Sequence, residues 1–244
     1  MVRPEKRFYR RFQKPKGFAS FEVIVGESDL WIAVPQGEYS PALERAVEET
    51  LISLRSQIEA YGKRRREFFT SLTPIEVEPL APRIVKKMAL ECGRCGVGPM
   101  AGVAGAINLF IGKKLEKLGI DEFIIENGGD TYISREAETV SLILTGEPRL
   151  DGKLAVCLPP GRWGLSSSSS KIGHSLSLGR VQIATVLSCN PVYSDCCATY
   201  LGNSTSPENA LRRVKELEVE GALVLIDGKF VIKGNLKPVL LKSA

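Results

Sequence analysis

Apolar and polar residues alternate with a period of two over residues 21–25 (FEVIV) and 29–34 (DLWIAV), with Gly26-Glu27-Ser28 between them, which predicts a β-hairpin. The period then lengthens. Leu43, Val47, Leu51, Leu54, Ile58 and Tyr61 mark one face of a helix, capped by Ser40 with Pro41 in its first turn and ending at Gly62. This helix is expected to cover the hairpin. Residues 72–82, LTPIEVEPLAP, carry three prolines and read as an extended surface connection. A short helix over 83–90 then leads into Cys92-Gly-Arg-Cys95.

Met100, Val103, Ala104, Ile107, Phe110, Ile111 and Leu118 follow the three-and-four spacing of one helix face, and Pro99 suits its first turn. Gly102 and Gly105 each cost roughly 1 kcal/mol against alanine inside a helix, so something must approach that backbone closely. One reading is helix packing against the groove left by Gly98, Gly102 and the Ala101 to Gly105 pair. The other is a helix N-terminus whose unpaired N–H groups receive a phosphate or another oxygen-rich ligand. Neither a P-loop nor a GxGxxG pattern is present.

Further on, strands are predicted over 123–126, 131–133, 140–145, 154–158 and 181–187, with a tight Asn127-Gly128-Gly129-Asp130 turn after the first. Residues 161–180, GRWGLSSSSSKIGHSLSLGR, read as a serine-rich loop. A short helix over 193–201 follows, then a helix capped by Ser206-Pro207 and a hairpin of 222–226 with 230–232 around Asp227-Gly228. Strands and helices alternate without regular βαβ spacing, and hairpins are frequent. This predicts an α+β fold with mixed or antiparallel sheets and packed helices, in a single compact domain over 1–244 with a basic N-terminal arm at about 1–17.

The chain has 244 residues, 43% of them apolar, and a net charge of +5, which suits a globular protein with a real core. The charge is concentrated: Arg3, Lys6, Arg7, Arg10, Arg11, Lys14 and Lys16 come early, and Lys63, Arg64, Arg65 and Arg66 form one run. Such runs attract a phosphorylated ligand or a nucleic acid, or simply make a solvated arm and a helix end. The aromatic signatures of RNA binding are missing, so nucleic acid is not an expected partner. With no apolar stretch of about eighteen residues and no apolar segment behind the N-terminal charges, a cytoplasmic protein without a membrane partner is predicted. Its six cysteines are then expected to be mostly reduced.

Asp195 and Thr199 lie four apart on a predicted helix, so their oxygens share a face, a spacing that suits Mg²⁺. The same residues read equally as an aspartate favoured by the helix dipole beside a threonine bonding back to its helix. The turn Asn127 to Asp130 is either a plain type I′ hairpin turn or a bend whose missing side chains let a flat ligand ring lie on the backbone. His174, the one histidine, is a candidate acid, base or ligand orienter, or a plain surface residue.

Taken in this order, the pieces resemble the ApbE superfamily, flavin transferases that use FAD and Mg²⁺ to attach FMN to a protein threonine. The resemblance spans about residues 96–203. Asn127-x-Gly129-Asp130 with its flanking strands looks like the family's N-x-GGD-type turn, and Asp195-Cys-Cys-Ala198-Thr199 is similar to its D-x-x-A-T metal motif. Gly98-Pro-Met-Ala101 falls where those enzymes have G-G-I-A-K-G, Ser166 to Ser169 where they have T-S-G, and His174 where they have the head of H-x-x-D-P. What this implies is a flavin or nucleotide pocket built from Gly98, Ala101, Gly102, Asn127, Gly128, Gly129, Asp130, Ser167 and Ser168. Asp195 and Thr199 would chelate Mg²⁺, and His174 would act beside them. An acceptor protein is the implied partner; the oligomeric state stays open.

Four positions depart from the pattern: Gly102 replaces the lysine, Gly96 the acidic residue before it, and Ser177-Leu178 the Asp-Pro after the histidine. A pocket without these groups is expected to keep its shape and bind something different, with transfer degenerate, and the match resembles most closely a sister branch of unassigned function.

An alternative of another class is a cysteine-based sulfur relay or redox protein. Cys92 and Cys95 precede a predicted helix N-terminus, which lowers thiol pKa, and Cys196 and Cys197 sit inside the metal motif. Cys95 and Cys197 are then the candidate reactive thiols, accessible and partly ionised, whereas Cys157 and Cys189 read as packing residues. A zinc site is the weaker reading, because adjacent Cys196 and Cys197 on a helix point in different directions.

Overall fold

In the computed structural model, residues 14–143, 153–169 and 181–240 are described. Most of the expected basic arm, with His174 and Ser177-Leu178, lies outside them. Two long strands, β1 (Phe18–Val25) and β2 (Ser28–Pro35), pair antiparallel around Gly26. The helix α1 (Pro41–Arg64) follows, with the Ser40 hydroxyl accepting the Leu43 N–H at 3.2 Å. After the one-turn helix α2 (Glu67–Thr70) and the proline-rich connection comes α3 (Arg83–Cys95), then a 3₁₀ turn (Pro99–Gly102) and α4 (Val103–Lys117).

Strands β3 (Phe123–Asn127) and β4 (Asp130–Arg135) form the next hairpin, with Asn127 opposite Asp130. The chain then leaves for β5 (Thr139–Leu142) and β6 (Leu154–Leu158), and returns as β7 (Gly161–Ser168) beside β4. Next come β8 (Val181–Ser188), α5 (Pro191–Gly202), α6 (Pro207–Glu216), β9 (Gly221–Ile226), β10 (Lys229–Gly234) and β11 (Lys237–Leu240).

Eight strands join in the order β1-β2-β3-β4-β7-β8-β9-β10, and β11-β6-β5 make a second, smaller sheet. The recorded pairings are all antiparallel. The large sheet is buried on both faces, and the period-two pattern sorts its residues. Leu30, Ile32, Val34, Val186 and Val224 pack in one cluster with α1, α3, α4 and α5. Trp31, Ala33, Leu187, Leu223 and Leu225 pack in another with Leu154, Val156 and Leu158 of the small sheet. A strand covered on both sides reads as a near-continuous apolar run, as β2 and β9 do. The α+β prediction holds, in three layers. Among the described residues no single helix is long and apolar enough to cross a membrane.

Several local expectations shift. Helix α3 runs through Cys95, well past residue 90, because Glu91 is buried between Lys87 (2.5 Å) and Arg94 (2.8 Å) one turn away on either side. Burial raises the Glu91 pKa, and the two cations outweigh it and hold it below the usual carboxylate range. Gly96, at φ 72°, then ends the helix. Helix α5 begins at Pro191, before the apolar pattern, because the Asn190 side chain caps the Val192 and Tyr193 amides. The serine-rich stretch is a strand as far as Ser168. Its hydroxyls find partners across the fold: Ser166 meets Ser194 (2.9 Å), Ser167 meets Thr185 (3.0 Å), and Ser169 donates to the Gln182 carbonyl (2.6 Å).

Candidate functional site

The glycine-rich start of α4 lies against α5. A Cβ added at Gly102 would stand 2.7 Å from the Cys196 sulfur and 2.9 Å from that of Cys92, and one at Gly105 would collide with the Pro191 carbonyl and crowd the Asp195 Cβ. At Gly98 the obstacle is the Ser71 carbonyl. Close packing therefore accounts for these glycines. At Gly98 and Gly102 the space expected for a ligand is filled by protein. Ala101, in the 3₁₀ turn, is half-buried.

The helix N-terminus does receive an oxygen anion, and it is the protein's own. Asp195 Oδ2 accepts the Gly105 N–H at 2.8 Å, and the Ala104 amide also favours the ionised form. Even so, Asp195 is pushed well above the usual carboxylate range, first by burial and then by the charge of Asp130. Asp130, buried at the head of β4, accepts the Ser167 amide at 3.2 Å through Oδ1. Burial raises it to about 7; the Ser167 amide and Ser166 hydroxyl lower it, and Glu126 raises it further. Sequence-distant carboxylates thus share one dry region, where a cation would relieve their repulsion.

Among the described residues the turn that leads into Asp130 is open. Gly128 and Gly129 have φ of 69° and 101°, which the two-residue hairpin turn requires, and no described residue lies within 4 Å of a Cβ built at either. Glu126, wholly buried, clamps the turn by accepting the Gly129 amide at 2.7 Å. Asn108 of α4 donates to the Asp130 carbonyl at 2.9 Å, while its own Oδ1 is buried with no partner among the described residues. Neither residue was expected. Asn108 could have been noticed as the single polar side chain in the run 103–112; Glu126 carried no such signal inside a strand.

Of the expected residues, Asp130, Ser167 and Asp195 come together, with Asn127 at the mouth of the turn. Thr199 is half-buried one helical turn after Asp195, and Ser168 is buried in β7. Among the described residues no three metal-ligating side chains gather. A Mg²⁺ ion fits such a sparse set, since it keeps waters and takes phosphate oxygens from its ligand.

The four clustered cysteines converge, in a way that changes their meaning. Cys92 and Cys196 form a disulfide, and Cys95 Sγ lies 3.0 Å from Cys197 Sγ, so both pairs tie the last turn of α3 to α5. Four of the six cysteines are free, as a mostly reduced set allows, and one disulfide joins the other two. Cys95 and Cys197 are buried, not accessible, and burial followed by the nearby Cys95 drives the Cys197 pKa upward, not down. The reason is packing: α3 continues through Cys95 and lies against α5, which shuts both sulfurs away from water. Conversely Cys189, expected to be packed, is exposed just past β8, and Cys157 is half-buried.

A family model described as AbpE bacteria matches residues 10–223. A UPF0280 protein of Methanococcus maripaludis strain C7 is 35% identical over 222 residues, 89% of this chain and 88% of its own. A UPF0280 protein of Methanocaldococcus jannaschii is 30% identical over 233 residues, 91% and 92% of the two chains. Among solved structures, the flavin transferase ApbE from Vibrio cholerae superposes with a TM-score of 0.65 at 13% identity, covering 90% of this chain and 97% of its own. The apo Pseudomonas stutzeri flavinyl transferase ApbE gives 0.64 at 14%, covering 88% and 93%. At such identities the likeness is one of fold.

Proposed function

Since the chain belongs to the AbpE bacteria family, we propose that it binds a flavin dinucleotide such as FAD with Mg²⁺ at the Asp130–Asp195 region, with FMN transfer slow or absent. The observation that carries this reading is the pair of buried carboxylates beside the open Gly128-Gly129 turn. Asp195 and Thr199, one turn apart on α5, would hold the ion, with Asp130 close enough to add its charge. A cation bound there supplies charge neutralisation to a phosphoryl oxygen. The chain itself does the positioning: Gly105 orients Asp195, Ser167 orients Asp130, and the bare turn leaves room for a flat ring. His174, outside the described residues, is proposed as the acid, base or orienter.

Weak transfer follows from position 102, where a lysine would stand in the resembled enzymes and where Gly102 packs against the Cys92–Cys196 disulfide. The sulfur-relay alternative needs a thiolate within reach of a partner. All four clustered sulfurs are buried, so the nucleotide reading is favoured.

Calorimetric titration with FAD, with and without Mg²⁺, tests the proposal on the wild type and on Asp195→Asn, which keeps an acceptor for Gly105. Mg²⁺-dependent binding lost in the variant is expected. Equal affinity in all four experiments would remove the metal from the site. Incubation with a threonine-bearing acceptor peptide should yield little fluorescent adduct; rapid stoichiometric labelling would restore full transferase activity.

A further inference from the structure

A cleft of about 510 Å³ lies between α1, α3 and α4, away from the carboxylates. Six of its lining residues are cations: Arg83, Lys86 and Lys87 from α3, and Lys113, Lys114 and Lys117 from α4. Among the described residues no acidic side chain lines it. Each helix contributes a stripe of one face, at spacings of three and four, completed by Leu90 and Phe110 respectively. The Lys113 ammonium lies 5.5 Å from the centre of the Phe110 ring.

Such stripes destabilise a helix, because like charges three and four apart repel. Lysines in the last turn of α4 are at least favoured by its dipole. Arg83, Lys86 and Lys87 are not: they occupy the first turns of α3, where the dipole is positive and no side chain caps the helix. Partners offset only part of this. Lys87 pairs with Glu91 and Lys86 donates to the Pro79 carbonyl at 2.9 Å, while among the described residues Arg83, Lys114 and Lys117 have no carboxylate partner. A charge arrangement that local rules disfavour on two helices at once marks a functional surface.

We propose that this cleft is a second binding site, for a small polyanion carrying at least two phosphate groups and a flat or apolar body. The volume is that of a small-molecule pocket. The facing cationic stripes suit a chain of phosphates, and Phe110 with Leu90, which is 63% exposed, supplies apolar surface for the body. The site is independent of the flavin reading: Lys113 lies eight residues beyond Gly105 on α4, about 12 Å along its axis.

The test is calorimetric titration of the full chain with ATP and with tripolyphosphate in EDTA at physiological salt. Wild-type protein should bind both saturably, ATP more tightly. Lys114→Gln/Lys117→Gln should weaken both by at least about tenfold, since each lost cation removes a phosphate contact. Asp195→Asn and the distant Lys63→Gln/Arg64→Gln should change affinity less than about twofold. Arg83→Gln should also weaken binding while leaving Tm unchanged or slightly raised, which separates ligand contact from folding. No saturable binding of either probe, or equal affinity in the cleft variants, would overturn the proposal. A short RNA binding far more tightly than ATP through the same lysines would overturn its small-molecule class.

Discussion

Asp195 Oδ2 accepts a hydrogen bond from the Gly105 N–H at 2.8 Å, so the carboxylate that heads the metal-like motif also caps the glycine-rich helix. One contact thereby joins two features that read separately along the chain. Gly105 is small because Pro191 and Asp195 press on it, and the orphan amides of α4 are met by a side chain from α5.

Gly102→Ala should lower stability by about 1–3 kcal/mol, because its Cβ would meet both sulfurs of the Cys92–Cys196 disulfide. The shift of the urea midpoint measures this. Gly102→Lys, restoring the residue of the resembled segment, should disrupt α4 packing and confer no transfer. A well-folded lysine variant with wild-type Tm and rapid FMN transfer would contradict the packing argument.

Asp130 sets a pH dependence. Its folded pKa of about 7 lies above the unfolded value of about 3.9, so the native chain holds a proton that the unfolded chain releases. That contribution to stability is complete below about pH 3.9 and is lost as pH rises toward 7. Asp130→Asn should flatten the decline in denaturation midpoint between about pH 4 and 7, and Mg²⁺ should stabilise the wild type more at the upper end. Parallel profiles for wild type and variant would count against Asp130 as the titrating group.

Iodoacetamide should label Cys189 first and Cys157 next in the folded protein. Cys95 and Cys197 should react only on unfolding, and Cys92 and Cys196 only after reduction as well. Site-resolved mass spectrometry over a time course reads the order. Early labelling of Cys95 or Cys197 would reopen the relay.

What the sequence determined by itself is local or periodic. Ser40 and Ser206 cap their helices because the cap is a contact within four residues. The Gly128-Gly129 turn follows from backbone freedom alone, and the two-residue period of β1 and β2 follows from burial. The ordered motifs were also enough to suggest the family. Tertiary structure alone decided which groups meet. Asp130 and Asp195 lie far apart along the resembled region, and only the return of β7 beside β4 and the packing of α5 on α4 bring them together. The cysteine pairing, 92 with 196 and 95 with 197, depends on where α3 stops. That stop was misread because Glu91 is held by two cations, and a buried ion pair leaves no apolar periodicity to read. Whether the serines of β7 make a loop or a strand was likewise undecidable along the chain, since their partners in β8 and α5 are supplied by the fold.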